Sequence, residues 1–305
     1  MPHRPCRAQS PRIATYWRFD DPFEHLTGDG RRGQPLGGRL RRFSLHRPQT
    51  MRRPVPILMY HLVSPNRIRG FEKYTVAPKK FAAQMRWLAS TGYTSITLDT
   101  LLDARLRNGA LPPKPVVITF DDGYRDCIDH ALPILREWGA KAIFYLVAGR
   151  VGGTSDWLVR DRGIELPLFD WSAAQQLKEL GVECGSHGMT HPHLAEVSPE
   201  ACQYELIESR RLLGQRLGYD VEHLAFPHGS YNPTVQRAAH EAGYRSCCSV
   251  QIGLSDPDDD LLALHRVLVH GQDSLVDFIC RLRTARSAGV MIREGLRRRA
   301  ASVLP

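Results

Sequence analysis

Short apolar segments alternate with segments of helical periodicity along most of the chain. Residues 116–120 carry no charge and are rich in β-branched and aromatic side chains, as is typical of a parallel strand buried on both faces. Residues 79–90 carry Phe81, Met85 and Leu88 at spacings of three and four, which predicts a helix with one buried face. The same patterns predict strands at 55–60, 93–98, 116–120, 142–147, 182–184, 224–226, 247–250 and 266–269. They predict helices at 79–90, 101–107, 124–138 (bent by Pro133), 172–180, 198–217, 233–242 and 274–283.

This alternation of strand and helix indicates an α/β protein. Some seven repeats of the pattern favour a closed parallel (β/α) barrel of about seven strands, similar to a TIM barrel, over an open sheet. In such barrels the active site forms at the carboxyl ends of the strands. The residues that follow each predicted strand are therefore the candidates for a functional site.

The charge of the chain is concentrated at its ends. Of the net +9 over 305 residues, residues 1–50 carry +6 and residues 281–305 carry +6, which leaves −3 for the middle. Residues 1–50 are rich in Arg, Pro and Gly, so we expect a basic disordered extension, and Met51 is an alternative start of translation. We predict one barrel domain at 51–285 and a basic tail at 286–305, either disordered or folded as a basic amphipathic helix.

The cysteines and the hydropathy indicate a cytoplasmic protein. Seven cysteines with no Cys-x-x-Cys pair do not form a disulfide framework, and adjacent Cys247 and Cys248 fit a buried strand. No apolar run approaches the about 18–20 residues that cross a bilayer, and Arg and Pro interrupt the N-terminal segment where a secretory signal would be apolar. The basic ends allow weak contact with an anionic membrane. No aromatic residues are interleaved with them in a nucleic-acid-binding motif, so we expect no nucleic-acid partner.

Two adjacent acids, Asp121 and Asp122, follow the apolar strand at 116–120 and precede Gly123. Two carboxylates at a strand end repel each other unless a cation or a proton-transfer role compensates them. The alternative is a solvated turn in which one Asp caps the next helix. A second motif about 65 residues downstream favours a functional site.

That second motif is a group of histidines. His187 and His191 are four residues apart, with Gly188 and Pro192 indicating a loop, and His193 is the less favoured candidate of the three. Surface histidines are the alternative for an isolated pair of this spacing. Together with one carboxylate from another strand end, however, two imidazoles complete the three protein ligands of a catalytic divalent metal site.

A third motif, Phe226-Pro227-His228-Gly229, follows a short strand and predicts a turn at the mouth of the barrel. Proline has no N–H, so the first free backbone donor after the strand is that of His228. We expect it to point into the site as an oxyanion donor, the alternative being an ordinary strand-to-helix turn.

These three motifs, in this order, resemble the polysaccharide deacetylase superfamily, also described as the NodB-homology domain or carbohydrate esterase family four. The motifs are Thr119 to Gly123, Gly185 to Pro192 and Phe226 to Gly229, and the resemblance covers roughly residues 53–285. It implies a distorted (β/α) barrel and metal-dependent hydrolysis of N-acetyl groups on amino sugars. Carried over by position, Asp121 is the general base, and Asp122, His187 and His191 hold the metal. The metal implied is most often Zn²⁺, with Co²⁺ or Ni²⁺ as alternatives.

The chain departs from the usual family pattern at several positions. Gly188 stands where the family usually has Ser or Thr, and the Arg that often precedes the third motif is absent. The Phe-Pro-x-Gly form resembles the branch acting on exopolysaccharide, in which an Arg near the last strand orients the base, and Arg266 fits that position. The catalytic acid is His61, after the first strand, or His270, after the last. The resemblance to circularly permuted members favours His61.

The implied substrate is an N-acetylated amino-sugar polymer or oligosaccharide. One alternative is a sugar-binding barrel that has lost catalysis, with Gly188 and the missing Arg as signs of decay. Another is a hydrolase of a small cyclic amide or an ester, because a barrel does not fix its substrate.

Overall fold

The computed structural model describes residues 53–301, with side chains described for residues 53–294. The predicted extension at 1–50 lies outside the described residues. The strands are β1 (Ile57–Tyr60), β2 (Leu62–Val63), β3 (Thr75–Val76), β4 (Thr94–Ser95), β5 (Pro115–Phe120), β6 (Ile143–Leu146), β7 (Glu183–Ser186), β8 (His223–Ala225), β9 (Ser246–Ile252) and β10 (Leu264–Leu268).

Seven of these strands close into a parallel barrel. The order is β1-β10-β9-β8-β7-β6-β5, and β5 pairs back with β1 through the register Met59 to Thr119, while β4 extends the start of β5. The closed parallel barrel predicted from the sequence is therefore confirmed. A separate parallel pair, β2 and β3, was not predicted, because two residues are too few to show a period.

The helices surround the barrel. They are α1 (Pro78–Ser90), α2 (Leu98–Leu106), α3 (Leu132–Glu137), α4 (Asp156–Arg162), α5 (Trp171–Glu179), α6 (Pro199–Leu217), α7 (Pro233–Glu241), α8 (Leu275–Thr284) and α9 (Ala288–Ala301). Side chains at the N-caps start several of them: the Ser198 hydroxyl, for example, accepts from the N–H of Ala201 at the start of α6. No helix within residues 53–301 is both long and apolar enough to span a bilayer. The basic tail contains α9, the helical form that the sequence allows for it.

One predicted helix is different in the structure. The segment predicted as a helix at 124–138 is helical over residues 125–137, but it contains a π-helical turn, Cys127–Ala131, directly before α3. Pro133 then falls in the first turn of α3, where its missing N–H is not needed. The bend at Pro133 stays a prediction.

The interior of the barrel is layered. Alternate residues of each strand point inward, so the apolar layer that includes Ile57, Val117 and Leu264 lies toward the amino ends of the strands. The next inward-pointing residues toward the carboxyl ends of β5 and β10 are Thr119 and Arg266, which are both fully buried and polar. The barrel therefore becomes polar toward the carboxyl ends of its strands, where the candidate site lies.

Candidate active site

The strand ends bring the predicted site residues to one cavity. Asp121 and Asp122 follow β5, His187 follows β7, His228 follows β8 and His61 follows β1. All of them, together with His191 and His270, line a cavity of about 560 Å³. Arg266 lies on β10 beneath its floor and is fully buried.

Asp122, His187 and His191 form a compact, buried group of potential metal ligands. Asp122 Oδ1 lies 3.4 Å from Nε2 of His187 and 3.2 Å from Nε2 of His191, and all three donor atoms are within 4.8 Å of one another. A divalent ion at about 2.0–2.2 Å from each ligand separates neighbouring donors by about 3.3 Å in tetrahedral geometry. Charge-assisted hydrogen bonds would be shorter, at about 2.7–2.9 Å. The group therefore fits a metal ion.

The hydrogen bonding of His187 supports this fit. Its Nδ1 lies 2.7 Å from the carbonyl oxygen of Ala225, a contact that requires a proton on Nδ1. In the neutral ring, Nε2 then directs a lone pair at a carboxylate oxygen of Asp122, and two acceptors repel each other unless a cation lies between them. Carbonyl-bound Nδ1 with Nε2 free is the usual arrangement of a metal-binding histidine.

The protonation of the other two ligands also suits a metal. Burial raises the pKa of Asp122, but its contacts with His187 and His191 outweigh this effect and hold the pKa well below its usual value. Burial lowers the pKa of His191 to about 4, and the nearby Asp122 only partly opposes this effect. Around neutral pH the group thus presents a carboxylate and an unprotonated imidazole.

Asp121 forms a bidentate ion pair with Arg266. The two distances from the guanidinium nitrogens to Oδ1 and Oδ2 are 2.7 and 2.8 Å, and Arg266 also donates to the Ser249 carbonyl and the Thr119 hydroxyl. Burial alone raises the pKa of Asp121, but the charge of Arg266 outweighs it and the pKa is lowered. Asp121 is therefore an anion whose two oxygens are both held by the Arg266 guanidinium.

The two candidate acids occupy different surroundings. Burial lowers the pKa of His61, and the charges of Asp121 and Asp122 oppose this effect. Burial also lowers the pKa of His270, where the next influences are Arg281 and Asp273. Both histidines line the cavity, but the two carboxylates are among the influences on the pKa of His61 alone of the two.

The third motif forms the turn that was expected. Pro227–Gly229 is a short 3₁₀ turn in which His228 adopts a left-handed backbone conformation, with φ 54°. Among the described residues no acceptor takes the N–H of His228. Its ring stacks on that of His193, with centroids 3.9 Å apart, and meets the ring of His191 edge-on at 4.3 Å. His193, the less favoured histidine of the sequence, therefore lies at the margin of the site.

Strained backbone is concentrated here. Five described non-glycine residues have positive φ, and three of them are Asp122, His191 and His228. Such conformations cost free energy and recur where side chains must be held in a functional arrangement.

The loop that carries His191 is held by a residue that the sequence did not indicate. Glu205, on α6, accepts hydrogen bonds from the N–H groups of Met189 and Thr190 and from the Thr190 hydroxyl, at 2.7, 2.9 and 2.5 Å. Gly188 has φ 77°, and a Cβ there would approach Glu205 Oε2 to 3.1 Å. The glycine thus suits the turn, and Thr190 supplies a hydroxyl close to the position where Gly188 lacks one.

Two further site residues were missed by the sequence reasoning. Tyr124 is buried beside Asp122, and its hydroxyl has no hydrogen-bond partner in the described part of the chain. The sequence could have indicated Tyr124, because it directly follows Asp121-Asp122-Gly123. Trp157, on α4, stacks on the His191 ring with centroids 4.5 Å apart. Nothing in the local pattern indicated Trp157.

The fold and this site define a parallel (β/α) barrel with a potential metal site at the carboxyl ends of its strands, and comparisons with known proteins specify the family. The family model described as polysaccharide deacetylase matches residues 108–247. YxkH of Bacillus subtilis (strain 168), assigned to the polysaccharide deacetylases, is 30% identical over 219 residues, covering 70% of this chain and 71% of YxkH. A poly-beta-1,6-N-acetyl-D-glucosamine N-deacetylase of Staphylococcus epidermidis is 22% identical over 210 residues, covering 66% and 70% of the two chains.

Solved structures show the same fold. The Streptococcus pyogenes deacetylase PplD, in complex with acetate, superposes with a TM-score of 0.67 at 24% identity, covering 76% of this chain and 99% of PplD. IcaB from Ammonifex degensii superposes with a TM-score of 0.64 at 23% identity, covering 76% and 97%. The chain belongs to the polysaccharide deacetylase family. The resemblance stated from its three motifs and the enzyme class that it implied are confirmed.

Proposed function

We propose that this protein hydrolyses N-acetyl groups of an amino-sugar polysaccharide or oligosaccharide. The reaction would use a divalent metal ion held by Asp122, His187 and His191, with Zn²⁺ as the expected ion and Co²⁺ or Ni²⁺ as alternatives. One observation carries the proposal: the three donor atoms lie at metal-ligand spacing in the same cavity as the buried Asp121–Arg266 pair. The relative from Staphylococcus epidermidis, by its name, deacetylates a polymer of N-acetylglucosamine. That name supports the choice of polymer class.

The ion, when bound, would supply Lewis-acid chemistry, lowering the pKa of water and polarising the acetamide carbonyl. Asp121 accepts the proton of the attacking water, because its low pKa keeps it ionised and Arg266 holds its oxygens in place. The N–H of His228 donates to the oxyanion that develops on the acetamide. His61, in its protonated form, then donates a proton to the leaving amine, which releases acetate and a free amino sugar.

His61 is the preferred acid because of its position. Of the two candidate acids, His61 is the one whose pKa is influenced by both carboxylates of the site, whereas the pKa of His270 is influenced by Arg281 and Asp273. A proton donor must lie within hydrogen-bond reach of the leaving amine. That amine departs from the acetamide carbonyl carbon, which the water activated by Asp121 attacks.

The reading as a non-catalytic sugar-binding barrel is not favoured. Both departures that suggested it have replacements among the described residues. Thr190 and Glu205 hold the loop beside Gly188, and Arg266 pairs with Asp121 although no Arg precedes the third motif. An amide or ester substrate of another kind stays as the alternative. The cytoplasmic location and the weak membrane contact remain predictions from the sequence.

The test combines metal analysis of the purified protein with acetate release from N-acetylglucosamine oligomers and from an aryl acetate ester. We expect about one divalent ion per chain and acetate from the oligomers. Asp121→Asn should retain the metal and lose at least about a thousandfold in turnover, by loss of the base. Asp122→Asn should lose the metal, and the exposed Asp129→Asn should change neither.

Active Asp121→Asn would overturn the assignment of the base. Absence of both metal and acetate would return the sugar-binding barrel to first place. Acetate from the ester alone would establish the other substrate class.

A further inference from the structure

One side of the cavity carries positive charge that the proposed reaction does not use. Lys73 and Arg162 both line the cavity and are both exposed. The Lys73 ammonium lies 5.1 Å from the centroid of the Tyr74 ring, and the guanidinium carbon of Arg162 lies 5.7 Å from the same centroid. We call these three residues, Lys73, Tyr74 and Arg162, the basic rim.

The basic rim is adjacent to the reacting centre. The Tyr74 ring packs against the His61 ring with centroids 4.8 Å apart. Hydrogen bonds hold the backbone near Tyr74. The carbonyl of Lys73 accepts from the N–H of Gly271, and the carbonyl of Gly70 accepts from the Arg162 guanidinium. The basic rim therefore lies beside His61, the proposed acid.

No described carboxylate neutralises these two cations, since neither forms an ion pair with an acid in residues 53–294. The acids that line the cavity have other neighbours: Asp121 is paired with Arg266 and Asp122 contacts the two histidines. Asp161, the residue before Arg162, also lines the cavity, and its carboxylate lies 4.0 Å from Nδ1 of His228.

The third cation of the wall differs from these two. Arg281 lines the cavity but is held by Asp273, at 2.7 Å between Nε and Oδ2, so its charge is already matched. The unmatched charge is thus confined to the basic rim.

We propose that the basic rim binds an anionic group, a phosphate or a carboxylate, carried by the amino-sugar substrate close to its acetylated residue. The inference rests on the proposed function for the nature of the sugar. A cationic rim disfavours a polymer whose neighbouring amines are already free and positively charged. It favours a glycan in which N-acetylated residues carry, or alternate with, negative groups. The cavity volume is in the range of sites that hold small ligands.

The test compares binding of matched monosaccharides to the full chain by calorimetry at low and high salt. N-acetylglucosamine is the neutral probe, N-acetylglucosamine 1-phosphate and 6-phosphate are the phosphate probes, and N-acetylmuramic acid is the carboxylate probe. We expect at least one anionic probe to bind about tenfold more tightly than the neutral sugar at low salt, and less so at about 0.5 M salt. Whether phosphate or carboxylate is preferred identifies the source of the charge.

The decisive variant is Lys73→Gln/Arg162→Gln, in which the ratio of the two dissociation constants should fall to about one. The matched control is Lys79→Gln/Arg160→Gln. It removes the same charges from exposed positions on α1 and α4 outside the cavity and should keep the ratio of the unmodified protein.

Equal binding of neutral and anionic probes to the unmodified protein would overturn the inference. A preference for the anionic probe that survives in the rim variant would also overturn it, because the anion would then be bound by the metal-ligand group. A preference that is lost equally in the control variant would overturn it as well. Acetate release from neutral oligomers is measured on the same samples. Its failure alone contradicts the proposed function and leaves the comparison of binding constants valid.

Discussion

Arg266 shows how one buried side chain sets the electrostatics of this site. A lone guanidinium inside a barrel would be very unfavourable, yet here the groups that face it are Asp121, the Ser249 carbonyl and the Thr119 hydroxyl. Asp121 depends on the arginine in turn, because without Arg266 it would be a buried carboxylate with a raised pKa. The pair is best understood as a unit that keeps the base ionised and oriented.

This mutual dependence can be measured by a double-mutant cycle in urea unfolding at neutral pH. Arg266→Gln should lower the free energy of unfolding by about 3–5 kcal/mol, because it leaves Asp121 buried without a counter-charge. Asp121→Asn/Arg266→Gln should be less destabilised than the sum of the single variants by at least about 1 kcal/mol. The exposed pair Arg125–Asp129 is the control, where Arg125→Gln should cost less than about 1 kcal/mol. Similar losses for Arg266→Gln and Arg125→Gln would contradict this account.

The assignment of the acid is a second prediction at the scale of single residues. His61→Gln should reduce kcat by about a hundredfold or more, because the leaving amine loses its proton donor. His270→Gln should reduce it by less than about tenfold, because the charges that influence His270 are those of Arg281, Asp273 and Lys73 and not those of the two site carboxylates. Acetate release by both variants at saturating oligomer decides the matter, with metal content as the check that the site is intact. A larger loss for His270→Gln would exchange the two roles.

At the scale of elements, the sequence predicted those whose pattern is long enough to read. Strands such as β1 and β6 are continuous apolar runs because both faces are buried, α1 has a clear period, and α6 begins with a capping serine. The elements missed are short: β2 and β3 have two residues each, and α4 has seven. Such segments are stabilised by tertiary contacts rather than by local sequence.

The π-helical turn was also missed, and it has a specific contact with the site. Its first residue, Cys127, donates from Sγ to the carbonyl of His61 at 3.1 Å and accepts from the N–H of Val63 at 3.4 Å. An extra residue per turn is the kind of irregularity that recurs at functional sites. Here it places a thiol against the backbone that carries the proposed acid.

Two variants at this position should separate the hydrogen bonds from the packing. Cys127→Ala should cost about 1–3 kcal/mol of stability, because it leaves the buried N–H of Val63 without its acceptor. Cys127→Ser keeps a donor and an acceptor and should recover part of that loss. If the thiol also positions His61, kcat should fall in the alanine variant and be partly restored in the serine variant, at equal metal content. Identical kcat in both would leave Cys127 with a packing role.

At the scale of the whole molecule, the active-site motifs were predictable because parallel strands converge. Once the barrel is assumed, residues after different strands meet at one face, so Asp122 and His187 come together despite their separation in sequence. The supporting residues could not be found in this way. Glu205 and Trp157 come from helices whose position around the barrel is fixed by packing, which a local pattern does not encode.

The opposite end of the barrel offers a prediction on pH and stability. Glu183, at the start of β7, is largely buried, and its Oε2 has no hydrogen-bond partner among the described residues. Burial raises its pKa, with His223 acting against this and Asp99 adding to it. A raised pKa means that the folded protein holds the proton more tightly than the unfolded chain. The resulting stabilisation is present at low pH and is lost as the pH rises through the pKa of the folded state.

Glu183→Gln should therefore be more stable than the unmodified protein at pH 7–8, by about 1 kcal/mol, because the amide avoids a buried charge. The gain should disappear near pH 4, where the carboxyl is protonated in both states. Thermal unfolding across this pH range measures the effect, and Glu179→Gln, exposed on α5, is the control for net charge. A gain that is independent of pH, or present equally in the control, would argue against a buried charge as the cause.

The left-handed conformations of Asp122, His191 and His228 have a consequence for how this protein could be evolved in the laboratory. Glycine or asparagine would relieve the strain at these positions, but glycine has no side chain to bring to the cavity. A library selected only for melting temperature should therefore accumulate changes at these three positions. A library selected for acetate release should keep them and gain its stability elsewhere, so the two selections would diverge first at the mouth of the barrel.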